Sequence, residues 1–266
     1  MTTYITNLLE LNNDILIKII ENIPLNFRLV NQQCKNICNS NKLTNNTFIF
    51  ISINMLKEAL QNEYKLNANT FELATEYGNL EVMDWLKNNH NSILTKEVFH
   101  KASKNGNIVN MKWLYDYNCP WTFETYYPAI NKNNFNTIKW LYNNHCPLNE
   151  NVFNYSVLKK NIEMLHLLYE LNCPFDIYNF ISAVQVGDLE IIKFLKEIDC
   201  PWDEYVSLFA AQYGNLEIMQ WLRNNGCPWD HDTFTAAMQN KNFTNLKWLR
   251  SEGCSWNKWT FCMAVS

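Results

Sequence analysis

The chain has 266 residues, 47% of them apolar, so it can bury a continuous core and is neither short enough nor polar enough to remain disordered. A net charge of −4 with a pI near 5.8 leaves no overall positive field to draw in phosphate backbones or an anionic membrane, which argues against nucleic-acid and membrane-surface binding. Met1 to Leu11 holds no basic segment followed by an apolar one, and the longest apolar run, around Phe48 to Ile51, falls far short of the roughly 18 residues of a membrane span; a cytoplasmic protein is expected.

In chain order, residues 8–45 come first. Ile15, Leu16, Ile19, Ile20 and Ile23 recur at helical spacing behind Asn12 and Asn13, which can cap the helix start, and Pro24 closes the segment. Phe27, Val30, Cys34 and Ile37 form a second apolar set at helical spacing. Leu11-Asn12-Asn13-Asp14-Ile15-Leu16 and Leu29-Val30-Asn31-Gln32-Gln33-Cys34-Lys35 resemble the opening and the later Val-Cys-basic stretch of an F-box. Asn12 stands where that family has a proline, and Asn36 and Ile37 stand where it commonly has a tryptophan. The resemblance implies docking to a Skp1-type adaptor of a ubiquitin ligase through Leu11, Ile15, Leu16, Ile19 and Leu29. Read without it, the same segment is a helical cap over the first repeat, because stacked arrays need a covering element at their ends; both readings stand. Residues 46–64 read as a connector carrying a helix over Ile53 to Gln61.

From residue 65 to 266 the chain is periodic. Cys119, Cys146, Cys173, Cys200, Cys227 and Cys254 fall 27 residues apart, and a fixed period in this range marks a stacked repeat architecture. Leu114, Leu141, Leu168, Leu195, Leu222 and Leu249 share the register, each preceded by Trp, Leu or Phe. Trp85 and Leu86 extend the pair backwards. An aromatic column (Phe99, Tyr126, Phe153, Phe180, Ser207, Phe234, Phe261) is followed three residues later by a small one (Ala102, Ala129, Ser156, Ala183, Ala210, Ala237, Ala264). Two further columns hold short polar residues that cap helix starts, Thr95, Thr122, Asn149, Asp176, Asp203, Asp230 and Asn257 in one, Asn79, Asn107, Asn134, Asn161, Asp188, Asn215 and Asn242 in the other. Each unit is therefore two short helices, A and B. Gly78, Gly106, Gly187 and Gly214 precede the second cap, where a positive φ is expected. Helix B ends at Asn118, His145, Asn172, Asp199, Gly226 and Gly253, types that tolerate the left-handed region, and Pro120, Pro147, Pro174, Pro201 and Pro228 stop it from continuing. Pro128 inside a helix A predicts a kink. Core positions on helix B are expected at the column Leu80, Ile108, Phe135, Ile162, Leu189, Leu216 and Phe243, at Met111 and its equivalents, and at the leucines.

Gly78-Asn79-Leu80-Glu81-Val82-Met83-Asp84-Trp85-Leu86 and Gly214-Asn215-Leu216-Glu217-Ile218-Met219-Gln220-Trp221-Leu222 resemble the second helix of an ankyrin repeat, and Phe71-Glu72-Leu73-Ala74 the core of its first. The Thr-Pro-Leu-His opening is missing and the unit is 27 residues instead of about 33. A Cys-Pro-Trp turn stands where that family projects a β-hairpin. Short units of this kind are similar to the divergent arrays of giant viruses of amoebae, which would place the protein in host cytoplasm. The resemblance implies an all-α, elongated solenoid of seven repeats and a terminal half-repeat over 65–266, built for protein–protein interaction.

No phosphate loop, nucleophile elbow, HExxH or CxxC pair occurs, and the five histidines are scattered, so no enzyme, cofactor or metal is expected. The cysteine ladder reads as structural turn residues. On helix A the positions opposite the core hold no fixed residue type, and Tyr155, Tyr178, Tyr205 and Phe209 there are the candidate anchors for a protein partner. A monomeric adaptor follows, recruiting a substrate protein to a Skp1-containing ligase; the alternative is a binding scaffold with no ubiquitin connection.

Overall fold

The computed structural model describes residues 53–61, 65–66, 69–77, 80–90, 93–213, 216–241 and 243–257. The F-box-like residues Leu11, Ile15, Leu16, Ile19 and Leu29 lie outside the described residues, as do the cap positions Asn79, Asn215 and Asn242, Gly78, Gly214 and the terminal half-repeat beyond Asn257. Within the described residues the fold is all-α with no strand, and no helix is long and apolar enough to cross a membrane.

Two compact units are present, one ending at Lys132 and the other beginning at Asn133. The first contains α1 (Ile53–Gln61), where the connector helix was expected. It continues with the hairpins α2 (Thr70–Tyr77) with α3 (Leu80–His90) and α4 (Lys96–Asn105) with α5 (Ile108–Asp116), and closes with α6 (Tyr126–Asn131). The second opens with α7 (Phe135–Asn143) and continues as α8 (Glu150–Leu158) with α9 (Ile162–Glu170) and α10 (Ile177–Val186) with α11 (Leu189–Glu197). Its last two hairpins are α12 (Glu204–Tyr213) with α13 (Leu216–Asn224) and α14 (His231–Gln239) with α15 (Phe243–Ser251). In each unit, successive A helices pack directly on one another, α2 on α4 and α4 on α6 in the first, α8, α10, α12 and α14 in sequence in the second.

The end of every described B helix in the 27-residue register is the same Schellman turn. Asn118, His145, Asn172, Asp199, Gly226 and Gly253 all have positive φ, between 54° and 82°. The amide of the following cysteine donates to the carbonyl of the leucine five residues back, as in Cys119 to Leu114 (2.9 Å) and Cys227 to Leu222 (3.0 Å). The other turn, from A to B, is left-handed at Gly106 and Gly187 as expected, but also at Asn133, Lys160 and Lys241, which occupy the same column. Asn107, Asn134, Asn161 and Asp188 each accept amide hydrogens of their own B helix. At the A-helix starts, Asp176, Asp203 and Asp230 do the same, whereas Thr95 and Asn149 take the extended cap backbone without a side-chain cap bond.

Pro128 does not kink a long helix. The A segment begins as a 3-10 turn, Phe123–Thr125, and restarts as α6 at Tyr126, so the proline sits in the first turn of α6, where a missing N–H costs nothing.

The core is built from the expected A columns. Phe99, Tyr126, Phe153 and Phe180 are fully buried, and so are the small residues from Ala102 to Ala237 and the leucines of the B helices. One B column needs correction. Ile108, Phe135, Ile162, Leu189 and Leu216 are only half-buried, and Phe243 is largely exposed. The residue two positions on takes the inward place instead: Asn110, Thr137, Met164, Ile191, Ile218 and Asn245 are all buried. The first residue of a helix overhangs its end, while the third lies on the same stripe as Met111 and Leu114.

Candidate protein-binding surface

The cysteines close each hairpin across its open end. The thiols of Cys119, Cys173, Cys200 and Cys254 donate to the backbone carbonyls of Thr95, Asn149, Asp176 and Asp230 at 3.3–3.4 Å, and Cys227 donates to that of Asp203 at 3.6 Å. Each acceptor is the cap residue of the A helix of the same hairpin, so one side chain ties the end of a B helix to the start of its own A helix. Burial pushes Cys119, Cys173 and Cys200 up to about 12 and Cys227 and Cys254 up to about 11. They are protonated donors and poor nucleophiles. Among the described residues no group of three His, Cys, Asp or Glu side chains is placed to hold a metal.

Aromatic residues of the turns and B helices, instead, make contacts between successive hairpins. Trp121, Phe175 and Trp202 pack against Phe99, Phe153 and Phe180 of the preceding A helix, with ring centroids 4.9, 5.4 and 5.2 Å apart. Four turn aromatics carry the side chain six residues earlier against the ring. Tyr115 lies on Trp121 and Tyr169 on Phe175; Lys196 and Arg223 sit over the rings of Trp202 and Trp229 at 4.0 and 4.1 Å. The tryptophans of the B helices are half-buried packing residues, Trp113 against Phe71 and Trp221 against Trp202.

The A-helix faces of the two units differ. In the first, Lys101 and Lys104 of α4 reach back to the buried carboxylate of Glu76 on α2, Lys101 at 2.7 Å. Burial alone would raise that carboxyl, but the two ammonium groups outweigh it and hold it below the usual carboxylate range. In the second unit the four candidate anchors lie on the consecutive A helices α8, α10 and α12. Tyr178 on α10 is 67% exposed and Tyr205 on α12 is 56% exposed. Both occupy the second helical position, and both amides are held by cap carboxylates, Asp176 at 3.0 Å and Asp203 at 2.9 Å. Phe209 and Tyr155 are half-buried. Phe209 stacks on Tyr213 with ring planes 8° apart, and the ammonium of Lys159 stands 5.1 Å from the Tyr155 ring. Tyr213, 53% exposed, belongs to the patch although its sequence position at the end of helix A hid it; the i, i+4, i+8 spacing of Tyr205, Phe209 and Tyr213 is the signal that reveals it.

No A helix of the second unit, from α8 to α14, carries a lysine or arginine; every described helical Lys or Arg there belongs to a B-type helix. Neither a protein-family model nor a curated protein matches the chain.

Proposed function

We propose that the chain is a protein-interaction adaptor, an ankyrin-like array that holds a partner on the A-helix face of residues 133–257 and performs no chemistry itself. The observation that carries this reading is the set of exposed and half-exposed rings at Tyr155, Tyr178, Tyr205 and Phe209, on columns whose residue type internal packing does not dictate. Aromatic side chains of this kind are the usual anchors of protein interfaces. The paired-helix units and the direct stacking of A helices support the ankyrin-like assignment. The Schellman and Cys-Pro turns leave no projecting hairpin among the described residues, so recognition falls to the helix face. Replacing the four residues by alanine is expected to abolish affinity capture of the partner from lysate while leaving helicity by circular dichroism unchanged. Undiminished capture by the folded variant would sink the reading.

The F-box resemblance of residues 8–45 adds a second contact to the proposal. Leu11, Ile15, Leu16, Ile19 and Leu29 dock a Skp1-type adaptor, and the held partner is thereby delivered for ubiquitylation. Co-purification with a co-expressed Skp1-type protein, lost on deleting residues 1–45, is the expected result. Folded chain that fails to co-purify leaves a binding scaffold without a ubiquitin link.

A further inference from the structure

The aromatic face of the second unit sits in an acidic field. Residues 133–266 hold fourteen Asp and Glu against ten Lys and Arg, whereas residues 1–132 hold twelve of each, so the whole net charge of −4 belongs to the second half. That charge is also segregated by layer. Exposed Glu150, Glu204 and Asp232 line the first turns of α8, α12 and α14, beside Tyr178 and Tyr205. Among the described residues neither glutamate has a lysine or arginine within salt-bridge distance, and Asp232 has only His231 beside it, at 3.5 Å. Within the same unit the cationic groups of Lys196 and Arg223 sit over the rings of Trp202 and Trp229, which shows a cation resting on an aromatic face in this architecture.

Resting on the reading of this face as a protein-binding surface, we infer that its partner is an extended, basic peptide segment. Its lysine or arginine side chains lie over the rings of Tyr178 and Tyr205, and its charge is complemented by Glu204 and Asp232. Stacked helices lie roughly 8–10 Å apart, and a chain in the polyproline II conformation advances about 3.1 Å per residue with three residues per turn, so every third side chain returns to the same face. A peptide crossing α10 and α12 therefore places cations on the two rings when they recur at every third position.

The test uses the full-length chain and fluorescein-labelled serine-glycine peptides carrying arginine at every third position, glutamate at those positions, or the same arginines in one block, read by fluorescence anisotropy. The arginine-every-third peptide is expected to bind. The double variant Tyr178→Ala with Tyr205→Ala should weaken it by about tenfold, while Tyr178→Phe with Tyr205→Phe, which keeps the ring faces, should stay within about twofold. Glu204→Gln with Asp232→Asn should weaken binding at low salt, with the difference vanishing as salt is raised. Equal binding of the glutamate peptide, or arginine binding insensitive to the alanine pair, overturns the inference. If no peptide binds while the four-alanine variant still loses its captured partner, the basic-segment inference falls and the protein-binding face survives. If that variant also keeps its partner, both fall.

Discussion

At the A-to-B turn the backbone is left-handed whether or not glycine is present. Gly106 and Gly187 fill the position without cost, but Lys160 and Lys241 are held at φ of 54° and 53°, where an L side chain crowds its own carbonyl by about 1–2 kcal/mol. Glycine loses part of that gain to its freer unfolded chain, so Lys160→Gly and Lys241→Gly are each expected to stabilise the protein by about 0.5–1 kcal/mol in urea unfolding. A loss of stability would show that the lysine side chains contribute contacts worth more than the strain. The buried thiols make a second residue-scale prediction. Their pKa values rise from the ordinary 9.0 to about 11 or 12 in the folded chain, so the neutral form is favoured by folding. That stabilisation is complete below about pH 9 and is lost as pH climbs through the folded values. The wild-type melting temperature should fall from pH 8 to pH 10.5 more steeply than that of a Cys119→Ala, Cys173→Ala, Cys200→Ala variant. The variant begins lower at pH 8, because it lacks the thiol-to-carbonyl bonds. Parallel slopes would remove the thiols from the alkaline response.

Among the elements, the B helices show how far periodicity reaches and where it stops. The caps, the leucine column and the Schellman ends were legible because each position admits only a narrow class of side chains in every repeat. The inward third position of helix B was not legible, because it mixes Asn110, Thr137 and Asn245 with Met164, Ile191 and Ile218, and an average over such a column shows no apolar signal. Neither side-chain atom of buried Asn110 finds a hydrogen-bond partner. Taking the residue of the equivalent site, Asn110→Met is expected to raise stability by about 1–2 kcal/mol; destabilisation would mean that the amide is satisfied by buried water. The α2–α4 pair carries the opposite kind of buried polarity, fully paired. Lys101 and Lys104 stand opposite the core face in the helix A register, and nothing local to α4 points to Glu76, 25 and 28 residues away. With the carboxyl held below its unfolded value, its contribution is present above that value and is lost as pH falls through the folded one. Lys101→Met with Lys104→Met should cost about 1–3 kcal/mol at neutral pH and flatten the acid limb of the stability profile. An unchanged acid limb would place the low-pH sensitivity elsewhere.

For the molecule as a whole, the helical-repeat class could be read from one chain because twenty-seven-residue spacing recurs at independent columns. The layer-by-layer segregation of charge could not, because no single repeat displays it and it emerges only when the A helices are set side by side. The same side-by-side packing governs cooperativity. Ala183 is fully buried in the small column where α10 meets its neighbours α8 and α12, and the absence of a larger side chain is what lets the helices approach. Ala183→Leu adds volume that the close-packed seam cannot absorb, at a cost of about 1–3 kcal/mol. In a quasi-one-dimensional array each hairpin contacts only the next, so the damage should stay local. Hydrogen exchange is therefore expected to lose protection in α8, α10 and α12 and to leave α14 near its wild-type level. Equal loss in α14 would mean that residues from Asn133 onward unfold as one cooperative body, with stability shared across the unit instead of being summed over neighbouring interfaces.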